Sequence, residues 1–176
     1  MSLDRFARQS KRLPESGSPL VERVASVQHQ SAKSVTSSHG EQAREILRAA
    51  RHDAATRGLG FAGSVSVIQA SAVLRTGGTR LIDVRADIEL DLEGFVPGSI
   101  NIPWALPPAF DINAAFIPEL AQRVSRHDVL LFHCRRGSRS AAAAQAATEA
   151  GFRYAFSIDG GMDEVLAAFM NRDTTA

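Results

Sequence analysis

Val129-Leu130-Leu131-Phe132-His133-Cys134-Arg135-Arg136-Gly137-Ser138-Arg139-Ser140 is the stretch from which the rest of the chain is read. Val129 to Phe132 is an unbroken apolar run, the pattern of a strand buried on both faces inside a parallel sheet. Gly137 permits a tight backbone turn. Ser140 to Ala150 is Ala-rich and helical, and Gly151 stops it. A core strand thus runs into a short loop, and the loop into a helix start. At this edge of a parallel sheet ligands bind. Cys134 opens the loop. Loop amides and a helix N-terminus aimed at its sulfur would favour thiolate over thiol. Arg135, Arg136 and Arg139 add cation that attracts an anionic substrate. An isolated cysteine is most often inert core. A core cysteine, however, has no need of a glycine and three arginines in the five residues that follow it.

Outward from this segment, strands and helices alternate. Tyr154 to Ile158 reads as a strand and Met162 to Met170 as a final helix. Upstream, Pro118 to Val124 looks helical, and Ser99 to Ile102 reads as a strand. Asp87 to Leu92 fits a short helix, and Leu81 to Val84 a strand. Ser66 and Gln69 have capping-box spacing for a helix through Leu74 that Gly77 and Gly78 close. Alternation of this kind predicts an α/β fold with a mainly parallel sheet. Trp104 to Pro118, rich in proline and apolar residues, is a candidate lid or pocket wall.

Before this region, a helix is expected from Gly40 to Arg57. Ser38 and Glu41 are spaced to cap it, and Ala43, Ile46, Leu47, Ala50 and Ala54 lie on one face. Residues 1–39 show no sustained periodicity and read as a flexible arm. Their basic excess is that of a transit peptide, but Asp4, Glu15 and Glu22 fit one poorly. The expected organisation is therefore an arm over 1–39, a helix and linker over 40–60, and a catalytic-type domain over 61–172.

Composition excludes several classes. With 20 basic and 19 acidic residues the net charge is +1, which gives no field for nucleic acid or an acidic membrane surface. No stretch is long and apolar enough to span a bilayer. A single cysteine rules out an internal disulfide and a four-cysteine zinc site. One lone thiol and no secretory h-region point to a reducing, cytoplasmic setting. A homodimer, covalent through Cys134, is the assembly this composition leaves open. His133 is not expected to serve as a general base, because neighbours on a strand point to opposite faces. His127, at a turn, reads as a surface residue.

Four segments in order resemble the rhodanese family. The loop Cys134 to Ser140 is similar to its active-site signature. Leu81-Ile82-Asp83-Val84-Arg85, with Glu89 after it, resembles the family's Asp-Val-Arg…Glu segment. Val96-Pro97-Gly98-Ser99-Ile100-Asn101-Ile102-Pro103 resembles its Pro-Gly-Ala-Asn-Ile-Pro stretch, and Asp159-Gly160-Gly161 its Gly-Gly turn. Phe95 and Met162 depart from the His and Trp the family often has there. The resemblance implies a three-layer α/β fold around a five-stranded, mainly parallel sheet. It implies that Cys134 takes sulfane sulfur from a small-molecule donor such as thiosulfate and passes it as a persulfide to cyanide, a thiol or a protein acceptor, with no metal or organic cofactor. By position, Arg135, Arg136, Gly137, Ser138 and Arg139 would cradle the substrate, and Asp83, Arg85 and Glu89 would support the loop.

Two other functions fit the same residues. One is a non-catalytic, partner-binding or redox-sensing module of this family, although such modules usually lose the cysteine. The other is a phosphatase or arsenate reductase on the same fold. Those enzymes place the arginine one position further from the cysteine, in a larger loop.

Overall fold

A computed structural model describes the backbone of residues 19–170 and the side chains of residues 38–169. Two units divide the chain, Met1–Thr36 and Ser37–Ala176. Helix α1 runs Pro19–Arg57. It begins well before the expected Gly40, so residues from 19 onward are helical rather than an arm. The expectation for residues 1–18 lies outside the described residues. Pro19 stands at the first helical position, where a missing N–H costs nothing, and neither Gly nor Pro interrupts the chain from there to Gly40. The Ser38–Glu41 spacing therefore falls inside the helix and marks no start.

The second unit carries β1 (Ser64–Ser66), α2 (Val67–Leu74), β2 (Thr79–Asp83), α3 (Asp87–Glu93) and β3 (Ile100–Asn101). After them come a hairpin of β4 (Ala105–Leu106) and β5 (Asp111–Ile112), then α4 (Phe116–Arg123), β6 (Val129–His133), α5 (Ser138–Glu149), β7 (Ala155–Asp159) and α6 (Met162–Met170). Five strands form one sheet in the order β1-β7-β6-β2-β3, every pairing parallel. This is the three-layer α/β architecture expected. The Ser66 capping box is formed: Ser66 Oγ accepts from the Gln69 amide, and the Ser66 amide donates to Gln69 Oε1.

Alternation along each strand divides the core between the two faces of the sheet. Leu131, Leu81, Phe156 and Ile158 face a layer with Val67, Ala70, Val165 and Phe169. Leu130, Phe132, Ile82 and Ala155 face the other, with Phe116, Leu120, Ala143 and Ala147. Each fully buried large side chain contributes about 2 kcal/mol. Cys134 continues the Leu130–Phe132 parity and belongs to the second face. Within the second unit, Gly63 shows how closely the helix around Ala50 approaches the start of β1. A Cβ there would meet the Ala50 carbonyl oxygen at 2.3 Å.

Candidate active site

Strand β6 is central, between β2 and β7, and its end delivers Cys134 to the loop before α5. Gly137 adopts φ +91°, a left-handed conformation that a Cβ disfavours. This turn aims the Gly137 N–H at Cys134 Sγ, 3.1 Å away. Ser140 Oγ lies 3.6 Å from the same sulfur, 3.0 Å from Ser157 Oγ and 2.9 Å from the Gly137 carbonyl oxygen to which it donates. Burial pushes the Cys134 thiol up. The Ser140 hydroxyl and the amides of Ser140, Arg136 and Gly137 together outweigh burial, so the thiol titrates below the ordinary cysteine range. Cys134 is only 2% exposed. When the sulfur is anionic, Ser140 can turn its proton toward it while Ser157 donates to Ser140.

A second set of groups fixes the loop from outside. Arg139 donates to both carboxylate oxygens of Glu89, Nη1 to Oε2 at 2.6 Å and Nη2 to Oε1 at 2.7 Å. That pair, with the Ala86 amide on Glu89, holds the Glu89 carboxyl below its usual range against the opposing effect of burial. Arg135 Nε lies 3.2 Å from Glu93 Oε1. Both acids belong to α3, so this short helix grips the loop at two points. The Arg136 side chain is exposed, and its guanidinium makes no hydrogen bond or ion pair among the described residues.

Beneath α3, Arg85 and Asp83 are fully buried. Arg85 Nε and Nη2 both reach the Asp83 carboxylate, Nη2 at 2.7 Å, and Nη2 also donates to the Gly94 carbonyl. Arg85 Nη1 donates to Glu93 at 3.3 Å. Glu93 therefore joins the buried pair to Arg135 on the loop. Losing one member of a buried ion pair costs about 3–5 kcal/mol, because the other charge remains in low dielectric.

His133 lies opposite Asp83 in the β2–β6 register, with Nε2 3.6 Å from Asp83 Oδ2. Neither ring nitrogen has a hydrogen bond. Burial lowers its pKa to about 4, Asp83 opposing and Arg85 assisting. The ring is neutral at pH 7 and faces the Asp83 carboxylate across the β2–β6 pairing.

A cleft of about 510 Å³ adjoins the loop. Arg135, Arg136, Ser138 and Arg139 line one side, and Trp104, Ala105, Phe110 and Ile112 the other. The segment from Trp104 is thus a pocket wall. Among the described residues no group of three His, Cys, Asp or Glu side chains is placed to hold a metal ion.

Residues 66–168 match the family model for the rhodanese-like domain. The chain belongs to the rhodanese-like domain family. It is 35% identical over 103 residues to the mouse (Mus musculus) thiosulfate sulfurtransferase/rhodanese-like domain-containing protein 3, an alignment spanning 57% of this chain and 66% of that relative. Human single-domain sulfurtransferase TSTD1 shares 30% identity over 59% of this chain and 95% of its own, with a TM-score of 0.45. Reduced Bacillus anthracis CoADR-RHD shares 26% identity over 62% of this chain and 17% of its own, with a TM-score of 0.47.

In this rhodanese-like domain the predicted site residues converge. Cys134 and Gly137 stand together, Arg139 is held by Glu89, and Asp83 and Arg85 form a buried ion pair that Glu93 links to Arg135. Only Arg136 of the three loop arginines is unpaired. Sequence reading missed Ser157, which arrives from β7, and Glu93, which pairs with Arg135. Neither lies in a motif, and no local signal marks them. Phe95, at a position where the family often has His, is 55% exposed, whereas Met162, where Trp is common, is buried at 4%. No helix of the described residues is long and apolar enough to cross a membrane.

Proposed function

We propose that the domain is a sulfurtransferase that carries sulfane sulfur on Cys134 from thiosulfate, or a related anionic donor, to cyanide or a thiol. The observation that carries this reading is the Gly137 N–H directed at Cys134 Sγ at 3.1 Å, where the thiol also titrates low. Thiolate is the form that attacks. In the first half-reaction Sγ forms a bond to the outer sulfur of thiosulfate. The sulfur–sulfur bond of the donor breaks and its electron pair leaves with sulfite. Cys134 then holds an anionic persulfide, for which the same amides are suitable donors. In the second half-reaction the acceptor attacks the outer sulfur, and Cys134 returns as thiolate. No proton is gained or lost by the protein across the cycle.

Arg136 supports an anionic donor, because its charge is exposed at the cleft and not committed to a partner. The chain has one cysteine, so no second thiol can resolve the persulfide within it. Sulfur leaves only to an external acceptor. A reducing compartment such as the cytoplasm suits a reaction through one unpaired thiol.

Steady-state thiocyanate formation from thiosulfate and cyanide tests the proposal, with Cys134→Ser as control. Wild-type protein is expected to form thiocyanate and to gain the mass of one sulfur atom on Cys134, and Cys134→Ser to do neither. The 2% exposure of Cys134 equally suits a module that only binds a partner. Absence of the mass gain with thiosulfate and with other sulfane donors would favour that second reading.

A further inference from the structure

Phe110 is the only non-glycine with positive φ among the described residues, at +58°. Bulky side chains rarely adopt this conformation, because Cβ crowds the backbone. Its ring is also 49% exposed, so burial does not offset the strain. Backbone strain of this kind persists at ligand clamps, where the conformation serves the site. Phe110 sits in the turn between β4 and β5 and lines the cleft beside Trp104 and Ile112. Across from them lies Arg136, whose guanidinium has no partner among the described residues.

Size gives an independent constraint. The cleft, about 510 Å³, falls in the range of small-molecule sites. Thiosulfate and cyanide have only a few heavy atoms each and would leave most of it empty. An apolar and aromatic wall offers nothing to either ion.

We propose that this cleft selects a small organic thiol as sulfur acceptor, one with a flat apolar body and an anionic group. The body lies against Phe110 and Trp104, and the anion meets Arg136. The inference rests on the sulfurtransferase reading for its chemistry, although the binding preference stands apart from it. In the transfer, the acceptor thiol first loses its proton to solvent. Its thiolate then forms a bond to the outer sulfur of the persulfide. The bond to Cys134 Sγ breaks, its electron pair stays on Cys134, and an organic persulfide departs.

Trp104 is the chain's single tryptophan, so its emission reports occupancy of the cleft without turnover. Phenylacetate carries both recognised features, acetate only the charge, and benzyl alcohol only the ring. Saturable change is expected with phenylacetate at concentrations where the other two give little. Phe110→Gly and Arg136→Ala should each weaken it by about threefold or more. Phe110→Gly should also melt no lower than wild type, since it relieves a left-handed backbone. Equal binding of the three probes, unchanged phenylacetate affinity in Phe110→Gly, or a lower Tm in that variant would overturn the inference, the last because Phe110 would then be a packing residue. A turnover arm compares para-(mercaptomethyl)benzoate with mercaptoethanol as acceptors on sulfur-loaded protein. The ratio of their kcat/KM values should fall about threefold or more in Phe110→Gly. Phenylacetate binding without sulfur loading of Cys134 would sink the sulfurtransferase reading alone. Sulfur transfer with an unaltered acceptor ratio would sink this inference alone.

Discussion

Arg139 meets Glu89 with two hydrogen bonds, 2.6 and 2.7 Å long, across a separation of 50 residues in sequence. The pair is mostly shielded, the side chains being 23% and 16% exposed. It ties the start of α5 to α3 and leaves Arg139 little freedom to follow an incoming anion. Glu89→Ala is expected to lower stability by about 1–3 kcal/mol, since it leaves a charged donor without its acceptor. The carboxyl's pKa is held below the ordinary 4.5 in the folded state. Its contribution is therefore complete above that value and fades as pH falls through the folded pKa. Denaturant melts at pH 7 and pH 3 check this: the gap between wild type and Glu89→Ala should narrow in acid.

Ser140 and Cys134 give a prediction about reactivity. The Ser140 hydroxyl is the largest single influence holding the thiol down against burial. Ser140→Ala removes that donor and should raise the pH at which Cys134 becomes reactive. The rate of iodoacetamide alkylation followed across pH should show its midpoint displaced to higher pH in the variant. A midpoint that stays in place would mean that the loop amides alone set the thiolate.

Arg136 differs from its two neighbours in having no acid to hold it. If it attracts the donor, Arg136→Ala should raise KM for thiosulfate by about threefold to tenfold with little loss of stability, as expected for an exposed charge. Arg135→Ala instead frees Glu93 and should have a smaller effect on KM. Steady-state kinetics beside thermal melts separate the two variants.

His133 should set part of the acid sensitivity. Its pKa falls from 6.5 to about 4 on folding, so the unfolded chain binds the proton more readily in that window. Stability is lost as pH drops from 6.5 toward 4, by an amount on the order of 3 kcal/mol. His133→Leu removes the titration and two buried nitrogens that lack hydrogen bonds. Its stability at pH 7 should stay within about 1 kcal/mol of wild type, because no hydrogen bond is lost. Between pH 6.5 and 4 its stability curve should be flatter. An unchanged acid slope would show that other groups dominate.

By itself the sequence determined the parts whose signals are local. The apolar run before Cys134, the Ser66–Gln69 cap, the glycine at 137 and the run of helices and strands after Leu81 each depend on residues a few positions apart. The α/β class and the cysteine loop could therefore be read without coordinates. Tertiary structure alone decided the rest. Strand β1 is only Ser64–Ser66 and exists by pairing with β7. The β4–β5 hairpin has two residues on each side, too few for a periodic pattern. Nothing near the three loop arginines says which one stays free. That follows from where α3 places Glu89 and Glu93, and ion pairs between distant segments are formed by folding, not by spacing along the chain.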